Sequence, residues 1–154
     1  APMTIQTRRV GIDERWTSLA VAEDQIEPGM PEYIWSLNVE HDPVGATWGP
    51  GGLRAPTRTY WGWNAKAARK IKAPTLIMVG EQDRLMTSNR DLFEDLASET
   101  KVFLSIANAT HFMAWEKQRH VLHRGSLAWL RETRLEGIDR GFLHADADGT
   151  IAKL

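Results

Sequence analysis

Pro74-Thr75-Leu76-Ile77-Met78-Val79-Gly80-Glu81-Gln82-Asp83 is the stretch that decides the fold class of this chain. Its apolar part runs without alternation and closes on a glycine. Such a run reads as a strand buried on both faces, the kind found in parallel sheets. A second run, Lys101-Val102-Phe103-Leu104-Ser105-Ile106, reads as another strand. Between them, Ser88 and Asp91 resemble a capping-box start, and Leu92 and Leu96 share one helical face, so a helix to Ala97 is predicted. Beyond a loop from Ala107 to Phe112, a further helix is predicted from about Trp115 to Arg131, with Val121, Leu122, Ala128 and Trp129 as its apolar stripe. Strand, helix, strand, helix over residues 74–131 is a right-handed βαβ unit with its closing helix, hence an α/β fold.

The flanks are less regular. Residues 1–12 are β-branched and basic and read as extended. Residues 13–27 carry Trp16, Leu19 and Ala20 at helical spacing, and Pro28-Gly29 and Pro31 end that element. A short helix is predicted over residues 32–39, then a Gly/Pro loop from Asp42 to Pro56, then a helix from Asn64 to Lys70 capped by Asn64. On the C-terminal side, Phe142, His144 and Ile151 alternate weakly around Asp148-Gly149 and suggest a small hairpin.

The chain has 154 residues, 42% of them hydrophobic and 25% charged, which is enough apolar material for one folded domain. A net charge of -1 argues against nucleic acid as a partner. The absence of cysteine excludes disulfides and thiolate metal sites. No apolar run reaches the length of a bilayer span, so a membrane is not expected as a partner. No targeting peptide is visible. The sequence names no compartment, and a cytoplasmic one is favoured. Of seven tryptophans, Trp35, Trp48, Trp61 and Trp63 fall between residues 35 and 63.

Ligands of open parallel sheets bind beyond the carboxyl ends of the strands. Asp83 lies three residues past Gly80, at one such end, and His111 lies five past Ile106, at the next. They are 28 residues apart, one strand–helix–strand excursion that returns the chain to the same edge. A carboxylate held against imidazole Nδ1–H fixes the tautomer and leaves Nε2 to take a proton from a nucleophile or a water. Alone, Asp83 reads as a turn aspartate and His111 as an ordinary histidine; the pairing reverses both readings. His120 and His123, three apart on a charged helix, read as a solvated face. His41-Asp42-Pro43 reads as a turn, and Asp146-Ala147-Asp148-Gly149 as an incomplete calcium loop, so no metal is expected.

The stretch quoted above, together with Ala109-Thr110-His111-Phe112-Met113-Ala114-Trp115-Glu116, resembles the C-terminal part of the α/β-hydrolase fold family. The first segment is similar to the P-x-L-x-x-x-G-x-x-D strand of the family's catalytic acid, and the second to its G-x-x-H-F-x-x-W-E histidine loop. The resemblance covers residues 70–131. It implies Asp83 as acid, His111 as base, no cofactor, and a mostly helical cap or lid over residues 1–69, with residues 132–154 as a C-terminal tail. Trp35, Trp48, Trp61, Trp63 and Phe112 are then expected to touch a small apolar substrate, although packing within the cap explains any one tryptophan as well. Asn108-Ala109 departs from the small glycines usual before the histidine, and Asn tolerates positive φ.

No G-x-S-x-G nucleophile elbow occurs. Gly137-Ile138-Asp139-Arg140-Gly141 has the spelling G-x-D-x-G, but it follows a polar helix and comes after the histidine, so it reads as a helix stop. The expected nucleophile lies on a missing N-terminal half of the same hydrolase, acting as a second chain that completes the sheet. A serine nucleophile implies hydrolysis of an apolar ester, thioester or related small molecule. An aspartate nucleophile implies an epoxide hydrolase or dehalogenase. A non-catalytic hydrolase-fold binding module is the rival from another class.

Overall fold

The computed structural model describes residues 25–41, 65–83 and 85–154. Within them the elements run α1 (Met30–His41), α2 (Ala65–Ala68), β1 (Thr75–Gly80), α3 (Met86–Asp95), β2 (Lys101–Ile106), α4 (Arg119–Glu132), β3 (Arg140–Ala145) and β4 (Ile151–Lys153). The strands form one mixed α/β sheet in the order β1-β2-β3-β4. β1 and β2 are parallel, with Leu76 opposite Val102 and Gly80 opposite Ile106.

The hairpin expected in the tail does form, with β3 and β4 antiparallel around the Asp146–Thr150 turn. In addition β3 pairs in parallel with β2 over its whole length. The two-stranded core expected from the sequence is therefore four-stranded, and β2 becomes an inner strand. This explains why β2 is buried at nearly every position while β1, at the edge of the sheet formed by the described residues, is only half-buried over Thr75 to Met78.

Alternation along β2 divides the core between the two faces. Val102, Leu104 and Ile106 point to the face where Leu143 and Ala145 meet Val121 and Trp129 of α4. Phe103 points to the other face, where Ile77, Val79 and Phe142 meet Phe93 and Met86 of α3. There Phe93 packs edge-on against Phe142, ring centroids 4.8 Å apart. Gly125 lets α4 lie close on β1, since a methyl there would press on the Met78 sulfur.

Several local expectations are corrected. The Ser88–Asp91 capping box is not made. α3 starts earlier, Ser88 lies inside its first turn, and its hydroxyl turns back to the Leu85 carbonyl, 3.0 Å away. α4 begins at Arg119 rather than Trp115, because residues 111–118 are spent on turns. Of the helix expected over residues 13–27, only 25–27 are described. They are not a regular α-helix, and Ile26 makes an antiparallel bridge with Glu116. The short helix expected over 32–39 is longer, and His41, read as part of a turn, is its last residue. The helix expected from Asn64 is a single turn followed by Arg69, which reaches Asp95 at 2.8 Å. Asn64 itself lies outside the described residues.

Candidate functional site

The site is built by two loops that leave adjacent strands at the same edge. After Gly80 the first loop is laced to the second through backbone. Glu81 N–H donates to Ile106 O and Gln82 N–H to Ala109 O, both at 2.9 Å. Gly80 makes this approach possible, because a methyl on it would overlap the Ala109 and Thr110 carbonyls. Asn108 accepts the left-handed turn that starts the second loop, at φ 56°.

Asp83 divides its carboxylate between two tasks. Oδ1 accepts the Leu85 N–H at 2.8 Å, which ties the acid to the entry of α3. Oδ2 lies 3.0 Å from Nδ1 of His111. The Asp83 side chain is 5% exposed and that of His111 50%, so the acid is buried and the imidazole is accessible. A carboxylate can only accept, so with the ring neutral the shared proton belongs on Nδ1 and the lone pair on Nε2. Among the described residues nothing else bonds the His111 ring.

The histidine loop is held from behind. Thr110 N–H donates to Glu116 Oε2 at 2.8 Å, and Thr110 Oγ donates to Glu116 Oε1 in a short hydrogen bond. Phe112 N–H in turn donates to Thr110 Oγ at 3.2 Å. Thr110 and Glu116 are fully buried. Thr110 and Glu116 stand in the motif that carries the resemblance, but sequence alone gave them no role.

The other site expectations are placed differently. Phe112 is buried and stacks on Trp115, centroids 5.3 Å apart, so it offers packing rather than open surface. Trp35 falls on α1, while Trp48, Trp61 and Trp63 lie outside the described residues. Gly137 sits with Glu136 in a tight two-residue turn, both at positive φ, between Leu135 and Ile138, and Gly141 is already in β3. That is a turn entering a strand, the reverse of a nucleophile elbow.

A serine–histidine contact outside the Asp83–His111 pair joins two neighbouring strands. Ser105 Oγ on β2 lies 3.0 Å from Nδ1 of His144 on the neighbouring β3. The Ser105 hydroxyl is also 3.3 Å from the Leu143 carbonyl, and among the described residues no carboxylate bonds the His144 ring. It is a cross-strand pair on the sheet face rather than a relay.

Among the described residues no three acidic or histidine side chains gather into a metal-binding group. No helix among them is long and apolar enough to cross a membrane. The chain matches no family model, no curated protein and no solved structure.

Proposed function

We propose that this chain supplies the acid and the base of an α/β-hydrolase catalytic triad that cleaves an apolar ester, thioester or related small molecule. The observation that supports it is the Asp83–His111 pair. The two are 3.0 Å apart, on loops from adjacent parallel strands, with a buried acid and an accessible imidazole. In this reading His111 Nε2 takes the proton of the nucleophile, or of an attacking water, and Asp83 stabilises the imidazolium that results. The nucleophile and further strands come from the N-terminal half of the same hydrolase, acting as a second chain.

The reading is tested first on the chain itself. Free neutral imidazole prefers its proton on Nε2, so an Asp83-held ring is distinguished by a proton on Nδ1. Nitrogen-15 spectra of the His111 side chain are expected to show the Nδ1–H tautomer in the wild type and its loss in Asp83→Asn. A wild-type ring in the Nε2–H tautomer would remove Asp83 as the orienting acid and the reading with it. In the assembled enzyme, turnover of p-nitrophenyl esters is expected to require His111.

A further inference from the structure

Glu116 is a fully buried carboxylate that the chemistry above does not use. Its two oxygens are both directed at Thr110, the residue before His111. Thr110 Oγ donates its hydrogen to Glu116 and accepts the N–H of Phe112, the residue after His111. One side chain thus holds the amide of Thr110 directly and the amide of Phe112 through a single hydroxyl. The peptide planes before Thr110 and after His111 are thus both tied to one carboxylate.

Glu116 is itself fixed from the other side. Its backbone bridges to Ile26, and the next amide, Lys117 N–H, donates to Gln25 O at 2.8 Å. Its carbonyl accepts the Arg119 N–H at 3.0 Å as α4 begins. A buried carboxylate is costly unless its oxygens are satisfied, and among the described residues both are satisfied by Thr110 of the histidine loop. A fold that needed only to fill this space would be served by an apolar side chain of similar volume.

Resting on the reading of His111 as the base, we propose that Glu116 is a positioning residue, which through Thr110 sets the direction of the His111 imidazole toward Asp83. The ring is half exposed and meets Phe112 only edge-on, centroids 6.1 Å apart, so packing alone does not fix its aim; among the described residues the aim comes from the backbone beneath it and from the bond to Asp83. Loosening Thr110 lets the ring turn away from Oδ2 and lets its proton move to the water-facing nitrogen.

The test reads the His111 tautomer in four variants of the full chain. Glu116→Leu removes both acceptors, and Glu116→Gln keeps one. Thr110→Val removes the hydroxyl, and Thr110→Ser restores it. Glu116→Leu and Thr110→Val are expected to convert His111 from Nδ1–H to a tautomer mixture. The Nδ1 proton should then exchange with water about tenfold faster, which corresponds to a lost interaction of about 1.4 kcal/mol. Glu116→Gln is expected to lie between, and Thr110→Ser to match the wild type. A purely structural role would lower the melting temperature of folded variants and leave the tautomer alone. If Glu116→Leu does not fold, the Thr110→Val and Thr110→Ser pair decides. A wild-type ring that is not Nδ1–H would overturn both the proposed function and this inference. A wild-type Nδ1–H ring that depends on Asp83, yet is unchanged in every folded Glu116 and Thr110 variant, would overturn this inference alone.

Discussion

Asp83 is committed at both oxygens, one to the Leu85 amide and one to His111, whereas among the described residues His111 bonds through Nδ1 and leaves Nε2 without a partner. That asymmetry sets the order of mutational effects expected if the proposed function holds. His111→Ala removes the group that moves the proton, and Asp83→Asn removes only its orientation. The loss in kcat should be larger for His111→Ala by about ten- to a hundredfold, as single deletions in catalytic triads behave. Steady-state ester hydrolysis by variants matched for folding checks it, and near-wild-type turnover in His111→Ala would show that another group is the base. Gly80 carries a different kind of constraint. A methyl there meets the carbonyls of Ala109 and Thr110, which are backbone and cannot swing aside. Gly80→Ala should cost about 1–3 kcal/mol, as overpacking does. It should also part the two loops, so denaturant melts and the His111 tautomer are expected to change together. A stable Gly80→Ala protein with an intact Asp83–His111 pair would show that the close approach is dispensable.

The elements that were legible in the sequence are those whose signal is local. β1 and β2 are predominantly apolar runs, and both appear where Thr75-Leu76-Ile77-Met78-Val79 and Lys101 to Ile106 placed them. Asp83 and His111 were legible because a strand end plus a fixed offset is enough to place them at one edge. β3 was read only as half of a hairpin, because Arg140-Gly141-Phe142-Leu143-His144-Ala145 mixes polar and apolar residues. Its strand character comes from the β2 edge that it completes. Glu116 was illegible for a similar reason, since its partners are set by a turn and not by a period. Lys101 shows a third case, a charged residue at a strand start that is almost wholly buried. Its Nζ donates to Phe93 O at 2.7 Å and Leu96 O at 2.8 Å, the free carbonyls at the end of α3. Burial first, and then Arg140, lowers its pKa from the ordinary 10.5. The unfolded chain therefore holds this proton more tightly. The contribution of the group to stability is greatest above pH 10.5 and declines as pH falls through the lowered folded-state value. Lys101→Met should cost about 1–3 kcal/mol near neutral pH by leaving these carbonyls without a donor. The wild-type advantage over it should widen as the solution is made alkaline. Parallel melts of both proteins across the alkaline range check the sign, and an advantage that shrinks there would refute it.

At the scale of the molecule, β1 has one side paired with β2 and one side that, among the described residues, pairs with no strand. Its ladder to β2 has a fixed phase, because Thr75 N–H donates to Thr100 O and Glu81 N–H to Ile106 O. In a parallel pair the amides that face one neighbour alternate with those that face away. Ile77 and Val79 therefore donate toward β2, and Leu76 and Met78 present their N–H groups to the opposite edge. Among the described residues no strand receives them. Leu76, Ile77 and Met78 are also only half-buried, unlike Val102, Phe103 and Leu104 across the pair. An apolar edge of this kind is a template for another strand. If a second polypeptide supplies that strand, as the proposed function requires, hydrogen exchange of this chain alone should show Leu76 and Met78 exchanging fast beside protected Ile77 and Val79. Addition of the second polypeptide should slow Leu76 and Met78 rather than Ile77 and Val79, because the former gain acceptors that the latter already have. Slow exchange at Leu76 and Met78 in a monomer of this chain would mean that another part of the same chain already covers the edge. The divided-enzyme reading would then fall, while the Asp83–His111 pair and its tautomer test would stand unaffected.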